Sequence, residues 1–162
     1  MKKYSIEIKW ALIFVVVTLL WMWMEKLVGL HSEYMEKHMI YTNFFMIPAI
    51  LVYVLALREK GRVFYNGTMT YMQGFISGLV ITLIVTIFSP LTQWIISYVI
   101  TPEYFPNVIE AAVRLEYMTQ EEAEAYFTFN NYVLQSLMYA PIMGIITTAI
   151  VAIFTRGKTE ES

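Results

Sequence analysis

Four long apolar stretches alternate with short polar segments along the chain. They run from about Trp10 to Val28, Met39 to Leu57, Tyr71 to Thr92 and Tyr132 to Phe154. No Asp, Glu, Lys or Arg occurs from Val63 through Pro102, nor from Ala125 through Thr155. A helix of about 20 apolar residues, rising 1.5 Å per residue, matches a hydrocarbon core about 30 Å thick. Backbone polar groups in lipid must be satisfied within a helix or a closed barrel, and the alternation of barrel strands is absent. The pattern therefore predicts an all-α fold. A single integral membrane domain holds four transmembrane helices, with spans of about 10–28, 39–57, 71–92 and 132–154 and an outer cap of about 93–131.

The third stretch is longer than a simple span. Read to Ile100 it makes about 45 Å of helix against about 30 Å of hydrocarbon. Ser89-Pro90 stands where a 20-residue span would reach the outer interface, and proline there removes a backbone donor and favours a kink. Leu91–Ile100 is expected to run along or beyond that interface, a tilted span being the alternative. Farther on, Thr101-Pro102 and Phe105-Pro106 are expected to break the helix, and Asn107 to cap a short amphipathic one reaching about Met118. Thr119-Gln120-Glu121-Glu122 reads as a capping box that starts a helix leading directly into the fourth span.

Composition agrees: 58% of the 162 residues are hydrophobic, above the roughly 45–50% of soluble domains. The absence of cysteine excludes disulfides, Cys-ligated zinc and a thiol nucleophile. Met1-Lys2-Lys3 before an apolar run resembles a secretory signal, but Glu25-Lys26-Leu27-Val28-Gly29 lacks a small-x-small cleavage pattern, so an uncleaved anchor is expected.

Charge adds sidedness. With the N-terminus inside, Lys2, Lys3, Lys9, Arg58, Lys60, Arg62, Arg156 and Lys158 are cytoplasmic, and Lys26, Lys37 and Arg114 are outside. Positive-inside asymmetry then places both termini in the cytoplasm, so the expected setting is a cytoplasmic (inner) membrane. Glu25, Glu33, Glu36, Glu103, Glu110, Glu116, Glu121, Glu122 and Glu124 gather outside, an acidic surface unsuited to nucleic acid or anionic headgroups. Asn66-Gly67-Thr68 matches a glycosylation sequon but falls on the cytoplasmic side.

Three features could carry chemistry or assembly. Gly74, Gly78, Thr82 and Thr86 recur every four residues, as do Ser136, Ala140, Gly144, Thr148 and Ala152. Such ribbons let helices approach closely in lipid, here either span three on span four or one copy on another. Tyr41, Asn43, Gln93, Asn130, Asn131 and Gln135 form an outer polar layer whose amides are expected to converge. With Glu25 they make either interhelical contacts or a small pocket for a lipid headgroup or peptide. The third is His31 and His38 with nearby carboxylates. On one helix their seven-residue spacing sets them about 10 Å apart, too far for one ion, so no metal is expected there.

No charge is expected deep in a span, Glu25 being the nearest exception, which argues against proton relays and ion pathways. No inverted repeat suggests a secondary transporter, and no nucleotide-binding or hydrolase motif is present.

Glu25-Lys26-Leu27-Val28-Gly29-Leu30-His31, Lys37-His38 and Tyr41-Thr42-Asn43 resemble the bacterial family catalogued as domain of unknown function 4199. Thr101-Pro102-Glu103-Tyr104-Phe105 and Glu121-Glu122-Ala123-Glu124-Ala125-Tyr126-Phe127 share the likeness, which runs from about Lys3 to Phe154. The resemblance implies a four-helix membrane protein of Gram-negative bacteria with no assigned activity, often encoded beside polyprenyl-phosphate-type glycosyltransferases. It supplies no catalytic residue. The expected role is non-enzymatic and without a cofactor: an accessory or scaffold subunit of a membrane complex, possessing a membrane-protein partner or forming a homodimer. A binder of lipid-linked substrate is the alternative. An intramembrane enzyme would need an acid, base or metal converging near Glu25, His31 or His38.

Overall fold

In a computed structural model, which describes residues 3–157, α1 (Ser5–Leu27) rises from the end of the bundle that also holds the end of the last helix. Lys2 and Lys158 of the basic count lie outside the described residues. The chain returns through α2 (Met35–Tyr41), a 3₁₀ turn (Thr42–Phe45) and α3 (Met46–Val63). It then rises again through α4 (Tyr71–Ile95), which ends in a π turn (Ile96–Ile100). The cap helices α5 (Tyr104–Arg114) and α6 (Gln120–Tyr126) precede the final descent through α7 (Phe129–Thr155). Four segments, Ser5–Leu27, Met35–Val63, Tyr71–Ile100 and Phe129–Thr155, are long and apolar enough to cross a membrane. The fold is all-α and multi-pass.

Around the bundle α1 lies beside α4, α4 beside α7, α7 beside α3 and α3 beside α1, with α3 and α4 also meeting across the middle. The closest seam is α4 against α7. Gly74, Gly78 and Thr82 face Ala152, Thr148 and Gly144, in antiparallel register. A Cβ on Gly78 would lie 2.3 Å from Thr148 Cγ2, and one on Gly144 2.4 Å from Thr82 Cγ2. Each glycine thus receives the other helix's threonine, which is how the backbones come close enough for dispersion to hold them. Ala140 continues the ribbon half-buried, and Ser136 Oγ donates to Ser89 Oγ at 3.4 Å. Tyr53 of α3 joins the seam through a 2.8 Å hydrogen bond between its hydroxyl and Thr82 Oγ1.

Several local expectations change. At Pro90 the helix runs on, α4 continuing to Ile95 and then through the π turn to Ile100. Pro90 offers no N–H to the Thr86 carbonyl, but the Ser89 hydroxyl donates to that oxygen at 2.8 Å. Pro106 does not break a helix either. It sits in the first turn of α5, where a missing N–H costs little. Asn107 is consequently inside α5, not its cap. The Thr119–Glu122 capping box does start α6, and the Thr119 N–H holds the Glu122 carboxyl below its ordinary range. That helix stops at Tyr126, and Thr128 caps α7 separately through a bond from Asn131 N–H.

Charges are buried in the terminal turns of two span helices. At the end near the termini, Glu7 of α1 and Lys60 of α3 are almost wholly enclosed, with Lys60 Nζ 2.8 Å from Glu7 Oε1. Ser77 of α4 donates to the same oxygen at 2.5 Å, and Lys60 also donates to the Lys3 carbonyl at 2.6 Å. A buried carboxylate is tolerable only when paired and hydrogen-bonded, and here two other helices supply the partners. Because α1 starts at Ser5, five residues earlier than its apolar run, its first turn carries Glu7 into the bundle.

Candidate functional site

The other end of the bundle holds a second enclosed charge, and its position follows from how α1 stops. Gly29 has φ +80°, a conformation that suits glycine. Its N–H bonds the Lys26 carbonyl and the Leu30 N–H bonds the Glu25 carbonyl, both at 3.0 Å. This paired arrangement, a Schellman motif, ends the helix and turns the chain back over its own last turn. His31 therefore lies above Glu25, while α2 does not begin until Met35 and places His38 in its first turns.

Three side chains meet there. His31 Nε2 is 3.1 Å and His38 Nε2 is 3.3 Å from the same oxygen, Glu25 Oε2. The other carboxylate oxygen accepts from Trp21 Nε1 at 2.6 Å. Glu25 and His31 are buried and His38 is nearly so, 14% of its side chain being exposed. The separation of about 10 Å expected for the histidines is thus overturned: their ring centroids are 5.1 Å apart. The spacing argument assumed one continuous helix, and the turn at Gly29 removes that premise.

The cap closes over this cluster. Tyr104 stands edge-on to both imidazoles, at 5.4 and 5.5 Å between centroids. Burial, with Tyr132 beside it, pushes the Tyr104 phenol far above its usual value, so it stays neutral. Asn107 Nδ2 donates to the His31 carbonyl at 2.8 Å, and Lys26 Nζ donates to the Ile100 carbonyl. Met35, Tyr104 and Ala111 form a small buried cluster, with Phe105, Val108 and Tyr132 packed on it. Two depressions flank the site. One of about 520 Å³ between α1 and α2 includes Glu25 in its wall, with Trp21, Tyr41, Phe44 and Lys37. The other, about 320 Å³, includes His31, Asn107 and Glu103.

Of the polar layer named from sequence, only Tyr41 and Glu25 share a wall. The amides do not converge. Asn43 Nδ2 donates to the Met39 carbonyl at 2.6 Å and Gln93 Nε2 to Ser97 Oγ at 3.0 Å, both within one turn of helix. Asn131 Nδ2 donates to the carbonyls of Ala125 and Tyr126, closing the joint between α6 and α7. Gln135 is half-buried on α7. Each amide with a partner satisfies itself locally, because a nearby carbonyl or hydroxyl is reached without ordering a second helix. The site instead consists of Glu25, His31 and His38, oriented by Trp21, Tyr104 and Asn107. The signal that could have found it was Gly29, placed to end α1 between Glu25 and the two histidines.

A family model described as "Protein of unknown function (DUF4199)" matches residues 9–157. No curated protein and no solved structure matches the chain.

Proposed function

The chain belongs to the DUF4199 family, and we propose that it acts without catalysis, as an accessory or scaffold subunit of a bacterial inner-membrane complex with both termini in the cytoplasm. The observation that carries this reading is the pinned acidic cap. Its helices are tied to α1 and to the turn after it through Lys26, Asn107 and the Tyr104 cluster, while Glu103, Glu110, Glu116, Glu121 and Glu124 remain exposed. Tyr117 projects beside them, 73% exposed. A fixed ledge on which exposed carboxylates outnumber the one exposed cation, Arg114, and which carries an outward aromatic suits a partner with a basic contact surface. The partner we favour is a different protein rather than a second copy, because the small-residue ribbon of α4 is occupied by α7.

Purification in mild detergent from native membranes, followed by mass spectrometry, tests the role. A stoichiometric protein partner should copurify and be lost on Glu110→Lys with Glu121→Lys, exposed positions whose exchange leaves the bundle intact. The same monomer from both preparations overturns the reading. Orientation is tested separately, since the chain lacks cysteine. An impermeant thiol reagent applied to intact spheroplasts should label Glu116→Cys and not Asn66→Cys.

One observation favours a second reading, a binder of lipid-linked substrate. The groove between α1 and α2 sets Trp21, Met24, Val28 and Phe44 beside Lys37, an apolar wall with a cation. A specific lipid that copurifies with the wild type and is lost in Phe44→Ala would support it.

A further inference from the structure

We infer that Glu25, His31 and His38 form a binding site for a divalent transition-metal ion of the zinc class, at the cap end of the bundle. One ligand atom from each residue can be chosen so that all three lie within 4.8 Å of one another. Glu25 Oε2 stands 3.1 Å from His31 Nε2 and 3.3 Å from His38 Nε2. Ligands held about 2.0–2.1 Å from a tetrahedral zinc stand about 3.3 Å apart, so both carboxylate-to-imidazole separations match the spacing an ion requires. Two imidazoles and one carboxylate are also a donor set that borderline divalent ions favour.

Hydrogen bonding alone leaves the cluster unsatisfied. His38 Nε2, despite its 3.3 Å approach to Glu25 Oε2, makes no hydrogen bond among the described residues, and neither does the buried His31 Nδ1. A cation between the three groups would give the His38 lone pair a partner and neutralise a carboxylate that is otherwise enclosed. The surroundings hold the ligands in place. Trp21 fixes the carboxylate through its second oxygen, Asn107 fixes the His31 backbone, and Tyr104 wedges both rings. The depressions beside Glu25 and beside His31 provide routes of entry, and three protein ligands leave a fourth position for water or another small donor. Metal binding here needs no partner on the cap.

The test uses the full chain, purified in detergent with a tag free of histidine. The sequence has only two histidines, so imidazole ligation can come from nowhere else. Titration with zinc chloride should give one ion per chain. Affinity should fall about 100-fold or more in His38→Ala and in Glu25→Gln, given that loss of even an outer-shell partner weakens metal sites by about 10–100-fold. His38→Ala removes the least enclosed ligand, and its helicity by circular dichroism checks folding. A gain-of-signal variant covers a folding failure: His38→Cys titrated with cobalt(II) should develop a thiolate-to-cobalt charge-transfer band, which the cysteine-free parent cannot show. Wild-type zinc binding no tighter than that of His38→Ala, or no such band in folded His38→Cys, overturns the site.

Discussion

Gly78 and Thr148 meet so closely across α4 and α7 that a Cβ on the glycine would fall 2.3 Å from the threonine methyl. Neither backbone can yield without disturbing the reciprocal contact one turn away, where Gly144 receives Thr82. Gly78→Ala is therefore expected to destabilise the bundle by about 1–3 kcal/mol through overpacking. Thr148→Ala in the same chain should restore a large part of the loss. Thermal midpoints in one detergent, for the two single variants and the double, measure this coupling.

Lys60→Met strands the Glu7 carboxylate at the end near the termini. The expected loss is about 3–5 kcal/mol, because the charge stays enclosed after its counterion has gone. Adding Glu7→Gln should recover most of it, since an amide oxygen can still accept from Ser77. Denaturation of the single and double variants separates an unpaired charge from a simple loss of packing.

Glu116 adopts φ +58° immediately beyond α5, as Gly29 does beyond α1. A side chain in that left-handed conformation is strained, and the carbonyl bonds that close α5 need only the backbone. Glu116→Gly should raise stability by about 1 kcal/mol, read as a higher thermal midpoint. No gain would mean that the carboxylate makes an offsetting contribution.

Asn107→Leu takes a donor from the His31 carbonyl and loosens the cap. Amide exchange in α5 should accelerate about tenfold or more, corresponding to an opening easier by about 1.4 kcal/mol. The α4–α7 seam should exchange at its former rate, as judged by mass spectrometry of peptic fragments.

The spans were legible because their signal is a sum over some 20 residues, which one misplaced charge does not erase. So was the α6 cap, where threonine and glutamate three apart are sufficient by themselves. The contact at Pro90 was not legible: the hydroxyl of the preceding residue reaches the Thr86 carbonyl that the proline leaves without its N–H. The Glu25–His31–His38 cluster was illegible to spacing because helical periodicity holds only while the helix continues. Gly29 ends it, and past that point proximity depends on the path of the turn. Asn43 and Gln93 show the converse, since polar residues that share a depth need not share a partner.

Two of the polar ties between the outer segment and the bundle, from Lys26 and from Asn107, end on main-chain carbonyls. Every residue type furnishes a carbonyl, so each of these bonds asks for a particular side chain at one of its ends alone. A change of side chain at position 100 leaves its tie in place, whereas positions 26 and 107 must supply a donor.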